Sequence, residues 1–168
     1  MEEPKIINGG LSIDDRGEIE FLNEIPPQFK RMYTVSNFQT PFIRCWHGHR
    51  LEKKIVKVLS GAALICVAAL DELIEHQTTK PITFYTTTGF DFFKDDYTDF
   101  PKSLKKFVLK ENDGKFLLIP GGFVNGAKTL IKETKLLYMS DKSIEESKED
   151  DYRFPITLFR DSWRIEER

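Results

Sequence analysis

The sequence predicts an all-β domain folded as a jelly-roll barrel, and three observations lead to this prediction. Most of the chain consists of short segments rich in strand-forming residues. Glycine-containing turn signals separate these segments, at 60–61, 112–114 and 120–122. The 168 residues suffice for one buried core and contain no internal repeat or linker. Many short strands of this kind are typical of a sandwich or barrel, and a jelly roll protects their edges.

The first four predicted strands follow one another closely, at 30–37, 41–49, 53–61 and 62–70. Apolar and polar residues alternate in KKIVKVLSG (53–61), which predicts a strand buried on one face only. The run AALICVAAL (62–70) is continuously apolar, which predicts a strand covered on both faces.

The second half of the chain predicts further strands at 81–89, 105–111, 115–120 and 128–140. The segment 90–106 mixes aromatic and charged residues, so we expect a loop or short helical insertion over the barrel mouth. The charged segment 141–150 is predicted to be a solvated helix or turn whose acidity serves solubility alone. A single domain is expected over 1–168, with the barrel core at roughly 30–140.

The composition and charge of the chain give no sign of binding to nucleic acid or of association with a membrane. A net charge of -2 and a pI near 6.0 do not favour binding to nucleic acid or to a membrane surface. The longest apolar run, 61–70, is too short to cross a bilayer. The N-terminus is acidic and polar, unlike a signal peptide. We therefore expect a soluble cytoplasmic protein.

Residues 47–61 resemble the first motif of the metal-binding cupins, in which an HxH pair precedes a glutamate and then a glycine. His47 and His49 supply the pair, and Gly61 closes the motif at the expected distance. The glutamate position is held by Lys54. An ammonium has no lone pair to offer a cation. The motif therefore predicts the shape of a cupin metal site without a bound metal.

The second cupin motif is altered in the same way. Gly114, Pro120 and Gly122 lie at the expected spacings, but Asn125 holds the position of the ligand histidine. Two of the four usual ligands are therefore replaced. The resemblance implies a single cupin domain, a jelly-roll barrel, with no metal.

Further motifs resemble the dTDP-4-dehydrorhamnose 3,5-epimerase family over roughly residues 10–140. Five segments match that family's motifs in order: DDRG (14–17), RCWH (44–47), KKIVKVLSG (53–61), LLIPGGFVNG (117–126) and LLYMSD (136–141). This resemblance implies a substrate, a nucleoside diphosphate carrying a 4-keto-6-deoxyhexose, and a reaction that needs no cofactor. It also implies a homodimer.

The resemblance assigns roles that suit the chemistry of a 4-keto sugar, whose C–H bonds at C3 and C5 are acidic. His47 is the expected base, with an ordinary pKa of about 6.5. Lys54 is expected to stabilise the enolate oxygen and Tyr138 to return a proton. The expected substrate-binding residues are Arg44, Arg16, His49, Asn125 and Asn37. Asp161 is the candidate for the carboxylate that orients the family's catalytic histidine.

Each of these residues also has a structural interpretation. A histidine or tyrosine in an apolar strand can simply pack, and a lysine in a half-buried strand usually faces solvent. His49 is either a base or a bystander. Arg16 either binds substrate or closes a turn.

Two alternative functions stay open at this point. The segments FKRMYTVSN (29–37) and IRCWHGHR (43–50) resemble the sugar 3,4-ketoisomerases, whose signature R-G-x-H-A-H contains a second histidine equivalent to His49. That resemblance implies a 3,4-ketoisomerase acting on the same class of substrate. The third possibility is a non-catalytic cupin that binds a sugar nucleotide.

Overall fold

The structure, a computed structural model, describes residues 2–23, 25, 28–38, 40–79 and 100–165. Its strands in the first half are β1 (Lys5–Asn8), β2 (Gly10–Asp14), β3 (Gly17–Phe21), β4 (Arg31–Ser36), β5 (Ile43–His49), β6 (Lys54–Ser60) and β7 (Ala62–Ala69). Helix α1 (Leu70–Thr79) follows. The remaining elements are β8 (Lys105–Lys110), β9 (Lys115–Ile119), β10 (Phe123–Thr129), β11 (Lys135–Ser140), α2 (Ile144–Glu149), β12 (Tyr152–Arg153) and a 3-10 helix, Arg160–Trp163.

The described strands form two five-stranded antiparallel sheets and a separate hairpin. The first sheet has the order β1-β9-β6-β11-β4 and the second β12-β5-β10-β7-β8, while β2 pairs with β3. The two sheets pack face to face, as the predicted jelly roll requires. The all-β fold class is therefore confirmed.

The main core lies between the two sheets. Val56, Leu117 and Leu136 from the first sheet meet Ile65 and Phe123 from the second, and each is at most 5% exposed. A second cluster covers the outer face of the second sheet, where α1 and the C-terminal segment pack against Trp46, Leu64, Cys66, Ala68 and Val124. Strand β7 is thus covered on both faces, as its continuous apolar run predicted.

The predicted strand 128–140 is wrong, because two strands and a turn occupy this part of the chain. β10 begins earlier, at Phe123, and β11 starts at Lys135. Glu133 adopts a left-handed φ of 60°, and the Thr134 hydroxyl donates to the Ile131 carbonyl, so the turn is built by local side-chain bonding. The sequence did not predict this turn, because residues 128–140 are rich in strand-forming residues and contain no glycine or proline.

The prediction that β6 is buried on one face only is also wrong. Residues Lys54 to Val58 are all buried. Lys54 and Val56 face the space between the sheets, whereas the outward-facing Lys57 is covered by the β2–β3 hairpin. Gly61, with a φ of +77°, ends the strand and makes the tight turn to β7 that side chains other than glycine rarely allow.

The N-terminal segment and α1 were not predicted. β1 adds a strand to the first sheet through β9, so the barrel extends beyond the predicted 30–140 core. The predicted strand 81–89 and most of the predicted insertion 90–106 lie outside the described residues. No helix in the described part of the chain is long and apolar enough to cross a membrane.

The segment 141–150 is helical, as predicted, but it does more than maintain solubility. Ser143 and Glu146 form a reciprocal capping box at the start of α2. Asp150 accepts hydrogen bonds from the backbone amides of Arg50 and Leu51, and so fixes the end of α2 to the loop after β5. The segment therefore places α2 beside one end of the space between the sheets.

Candidate active site

A cavity of about 870 Å³ opens at one end of the space between the two sheets. This volume falls in the range of small-molecule sites. Its walls come from β4, β5, β6, β10 and β11, with α2 and the residues after it at the rim. Of the predicted site residues, the cavity brings together His47, His49, Lys54, Tyr138, Arg44, Asn125 and Asn37.

Strand geometry places the two histidines together. Residues two apart on β5 face the same side, so His47 and His49 both line the cavity with ring centroids 4.9 Å apart. Asn125 lies directly opposite His47 on β10, and its amide donates to the His47 carbonyl at 3.0 Å. A register shift follows at Gly126, where any Cβ would lie 2.3 Å from Cys45. Such irregularities often re-aim side chains beside active sites.

His47 forms the shortest polar contact in the cavity. Its Nε2 lies 2.5 Å from Oδ1 of Asp151, which belongs to the segment after α2. The other carboxylate oxygen accepts from Arg153 Nε at 2.9 Å. Burial, and next the charge of Lys54, lower the His47 pKa, whereas Asp151 opposes the decrease. The imidazole is thus neutral near pH 7 and oriented by a carboxylate.

His49 lies deeper and is only 2% exposed. Its Nδ1 is 3.3 Å from Oε2 of Glu52, yet neither ring nitrogen makes a hydrogen bond of acceptable geometry. Burial, with Lys54 as the next influence, lowers the His49 pKa to about 4. His49 is therefore an uncharged ring behind His47.

Glu52 is a buried carboxylate on the loop between β5 and β6. Ser147 of α2 donates to its Oε2 at 2.6 Å, and Arg31 Nη2 lies 3.3 Å from its Oε1. Lys54 Nζ lies 3.7 Å from the same Oε1. Burial alone favours protonation, but Lys54 and the Ser147 bond outweigh it and lower the Glu52 pKa. One carboxylate thus balances two cations at the cavity wall.

Lys54 is 3% exposed and lines the cavity. At 3.7 Å its contact with Glu52 is an ion pair too long for a hydrogen bond. Burial lowers the Lys54 pKa, and Glu52 opposes the decrease. The ammonium is therefore placed to donate hydrogen bonds to a molecule in the cavity.

Tyr138 lies on β11, where its partner across the strands is Tyr33 on β4. The two rings stack with centroids 5.3 Å apart and planes 6° from parallel. Burial raises the Tyr138 pKa, and it raises the Tyr33 pKa to about 12. Both phenols are therefore protonated across the physiological range.

The charges around the cavity are predominantly positive. Arg44, Lys148 and Arg153 are exposed at its rim, whereas Arg31 and Lys54 lie deeper. Asp151 is the single carboxylate among the described lining residues. A cavity with this balance favours an anionic ligand, and the arginine forks suit phosphate oxygens.

Two predicted residues lie elsewhere. Arg16 is in the turn of the β2–β3 hairpin, is 83% exposed and pairs with Asp14 rather than lining the cavity. Asp161 lies in the 3-10 helix 3.4 Å from Arg164 and is not among the cavity residues. The carboxylate beside His47 is Asp151, so the Asp161 assignment is wrong.

The cupin fold raises the question of a metal. Ligand atoms of His47, His49 and Asp151 all lie within 4.8 Å of one another. These groups do not fit a cation as they stand, because the 2.5 Å contact of His47 with Asp151 leaves no room between them for an ion with bonds of about 2 Å. The Lys54 ammonium, whose charge already lowers the pKa of both histidines, repels a cation from the same place.

Sequence reasoning missed several residues of this site. Glu52 follows the HxH pair by three positions, but the cupin motif directed attention to position 54. Asp151 and Arg153 are two apart in DDYRF, an alternation that an extended segment presents on one side. Their place beside His47 depends on a contact that spans 104 residues. The remaining residues missed are Arg31, Tyr33, Ser147 and Lys148.

No family model and no curated protein sequence matches the chain, whereas solved structures do. A double mutant of the 3,4-ketoisomerase QdtA from Thermoanaerobacterium thermosaccharolyticum, in complex with TDP, matches with a TM-score of 0.64 and 16% identity, over 92% of this chain and 89% of that one. A 3,4-ketoisomerase from Helicobacter canadensis gives 0.63 and 19% over 96% and 98%. The dTDP-4-dehydrorhamnose 3,5-epimerase of Bacillus anthracis, with TDP and pyrophosphate bound, gives 0.62 and 20% over 89% and 77%.

The chain has the cupin fold of these sugar-nucleotide enzymes. The predicted structural resemblance to both the epimerases and the ketoisomerases is thereby confirmed. At these identities the likeness concerns the fold alone. The residues of the cavity, rather than these structures, determine which reaction this cupin can carry out.

Proposed function

We propose that this protein is a metal-free nucleotide-sugar epimerase that inverts C3, C5 or both in a nucleoside-diphosphate 4-keto-6-deoxyhexose. The observation that carries the proposal is the His47–Asp151 pair, 2.5 Å apart and open to a cation-rich cavity. A neutral imidazole oriented by a carboxylate is a general base suited to neutral pH. Two of the solved structures named above, the QdtA ketoisomerase and the Bacillus anthracis epimerase, contain TDP, which supports the same class of ligand here.

The rim and the interior of the cavity differ in a way that supports binding of the two parts of such a substrate. Arg44, Lys148 and Arg153 at the rim are placed for the pyrophosphate, since arginine binds phosphate oxygens in a bidentate manner. His47 and Lys54 lie further in, where the sugar would sit. The amide groups of Asn37 and Asn125, with His49, are proposed to contact the sugar hydroxyls.

The first chemical step is removal of a proton from the carbon beside the ketone. We assign the proton of neutral His47 to Nε2, 2.5 Å from the Asp151 carboxylate, so that Nδ1 keeps the lone pair that takes the substrate proton. The electron pair of the broken C–H bond forms a double bond from that carbon to C4, and the electron pair of the C4 carbonyl π bond moves to the C4 oxygen as the enolate charge. Lys54 is proposed to stabilise that oxygen, and such preorganised charge is usually the largest catalytic contribution.

The second step returns a proton to the opposite face of the same carbon. Burial raises the Tyr138 pKa, so its phenol keeps the proton that it must donate to the enolate. Proton exchange with solvent then restores Tyr138 to the phenol and His47 to the neutral imidazole. The cycle inverts one carbon without any oxidant, reductant or cofactor.

Solvent exchange tests the proposal directly. The purified protein is incubated with dTDP-4-keto-6-deoxyglucose in deuterium oxide and followed by NMR. Deuterium at C3 or C5 of an epimer is expected, and prior treatment with a chelator should not change the rate. His47→Ala should slow exchange by roughly 10²–10⁴-fold, the usual contribution of a general base. Exchange that persists in this variant would contradict the role of His47.

The second candidate, a 3,4-ketoisomerase, is favoured by His49. Its ring lies 4.9 Å from that of His47 and has two nitrogens without hydrogen bonds, so it can join a proton transfer between C3 and C4. The same incubation distinguishes the reactions, because a ketoisomerase gives a C3 ketone. A protein that binds the nucleotide sugar but exchanges no proton would be the non-catalytic cupin.

A homodimer remains part of the proposal. Among the described strands, β4 has a neighbour on one side only, and its Met32 side chain is 72% exposed. Exposed apolar side chains beside an open sheet edge favour a partner. Analytical ultracentrifugation should give about twice the monomer mass of 19.6 kDa.

A further inference from the structure

Glu52 has no role in the proposed proton transfers, yet its side chain is completely buried beside the cavity. It contacts three separate parts of the fold: Arg31 on β4, Lys54 on β6 and Ser147 on α2. Its Oε2 also lies 3.3 Å from His49. A carboxylate is costly to bury unless its charge is balanced and its oxygens are bonded. The contacts therefore need an explanation.

The two carboxylate oxygens of Glu52 have different partners, and Lys54 depends on one of them. Ser147 donates at 2.6 Å, so Oε2 is held firmly from α2. Arg31 Nη2 and Lys54 Nζ share the other oxygen, at 3.3 and 3.7 Å. Arg31 has further partners, because it also donates to Ser147 at 3.2 Å and lies over the Tyr33 ring. Glu52 is the carboxylate closest to Lys54 among the described residues.

Without Glu52, the buried Lys54 and the half-buried Arg31 would have no carboxylate of the described residues within 4 Å of their charges. Burial favours loss of a proton from a lysine, and Arg31 adds repulsion in the same direction. A neutral amine donates weakly and does not stabilise an oxyanion. The use of a lysine at this position therefore depends on an anion behind it.

We propose that Glu52 is a positioning residue whose carboxylate holds the Lys54 side chain at the cavity wall and keeps it an ammonium. This inference rests on the proposed function in one respect, namely that the Lys54 ammonium stabilises the enolate oxygen. Ser147 on α2 holds the Glu52 carboxylate in turn, because its hydroxyl donates a hydrogen bond to Oε2. The Ser147 contact thus connects the helix at the cavity rim to the charge at its centre.

The charge state of Lys54 depends on every ionisable group that faces it. Burial has the largest effect on its pKa and lowers it, whereas Glu52 has the largest effect among those that raise it. His47 and His49 are its neighbours from β5. Among the described residues, the charged or titratable groups that interact with it most strongly are Glu52, Arg31, Asp151, His47 and His49.

The test measures the titration of Lys54 itself. Protein labelled with carbon-13 at lysine Cε is titrated by NMR, and the Lys54 signal is the one missing from Lys54→Met. In Glu52→Gln, which keeps the side-chain shape and an acceptor oxygen, the Lys54 midpoint should move to lower pH. Glu20→Gln, which removes a carboxylate from a different buried lysine, is the matched control and should leave it unchanged. An unchanged midpoint in folded Glu52→Gln would overturn the proposal.

A second variant and an activity readout keep the test decisive. If Glu52→Gln does not fold, Glu52→Asp is used instead. Its side chain is one methylene shorter, so the carboxylate lies further from Lys54. The Lys54 titration midpoint should then move to lower pH by a smaller amount than expected for Glu52→Gln. No movement there would also overturn the proposal. Deuterium exchange into dTDP-4-keto-6-deoxyglucose should fall about 10- to 100-fold in kcat for Glu52→Gln, with KM close to wild type, as for groups that orient a functional residue.

The two proposals fail in different ways. A wild-type protein that exchanges no deuterium would contradict the proposed epimerase, but the Lys54 titration would still decide the role of Glu52. Normal exchange by Glu52→Gln with a normal Lys54 midpoint would overturn the role of Glu52 and leave the epimerase unaffected.

Discussion

Two lysines on β6, Lys54 and Lys57, are equally buried at 3% exposure, but their surroundings differ completely. Lys57 donates to Glu20 at 2.5 Å and to Asp113 at 3.0 Å, on the outer face of the first sheet. Lys54, on the inner face, has one carboxylate at 3.7 Å. The same residue type on the same strand thus donates to two carboxylates in one place and has a single, more distant carboxylate in the other.

The difference indicates what each lysine is for. A fully paired ammonium fixes structure, and Lys57 fastens the β2–β3 hairpin and the turn before β9 to the sheet. An ammonium that keeps unused donors in a cavity is available to a ligand. Burial alone therefore does not identify a functional lysine, whereas incomplete pairing within a cavity does.

The largest expected effect on stability comes from Lys57→Met. Removing one partner of a buried ionic cluster leaves Glu20 and Asp113 repelling each other, so the free energy of unfolding should fall by about 3 kcal/mol. Urea denaturation of this variant and of Lys54→Met, with the slope m compared, measures the difference. If the free energy of unfolding fell less in Lys57→Met than in Lys54→Met, Lys57 would not be the structural lysine of the two.

A similar comparison can be made between the carboxylates Asp151 and Asp113. Asp151→Asn should slow exchange by about 100-fold, because His47 loses its orienting carboxylate and the imidazolium its counter-charge. Asp151 raises the His47 pKa, so its loss should also move the acidic limb of kcat/KM to lower pH. Asp113→Asn, the control beside Lys57, should change neither property in steady-state assays.

The charge of Lys54 should be detectable at His47. Lys54 lowers the His47 pKa, so Lys54→Met should raise it, and the neutral base would be lost at a higher pH than in the wild type. NMR titration of the His47 ring measures this shift without relying on turnover. Lys57→Met should not move it. A downward shift in Lys54→Met would mean that the two side chains do not interact as the structure implies.

The smallest effect is expected for Glu20→Gln. Asp113 still neutralises Lys57, and the new amide keeps an acceptor oxygen, so the loss of stability should be about 1 kcal/mol. Thermal unfolding followed by circular dichroism is sufficient to measure it. A loss as large as that of Lys57→Met would show that Asp113 contributes little.

Local patterns predicted much of the fold and the inner surface of the site. The turn at Gly61 and the continuous apolar run of β7 are local features, and so is the common orientation of His47 and His49. The turn between β10 and β11 was missed because Thr134 and Glu133 make it with side-chain bonding and backbone conformation rather than with glycine.

The carboxylates of the site were harder to predict. Asp151 reaches His47 across 104 residues, so its role depends on tertiary structure. Glu52 lies close to the histidines in sequence, but its burial depends on Ser147, 95 residues away. Lys57 resembled a solvated residue because the hairpin that covers it is distant in sequence.

Side-by-side exchange rates for Lys54→Met and Lys57→Met test the central claim most directly. Both variants are incubated with dTDP-4-keto-6-deoxyglucose in deuterium oxide, at a temperature where each is folded. Lys54→Met should lose roughly 10²–10³-fold in the rate of exchange, as when an oxyanion-stabilising group is removed. Lys57→Met should exchange at a rate close to that of the wild type. Equal losses in the two variants, or full exchange by Lys54→Met, would contradict the account.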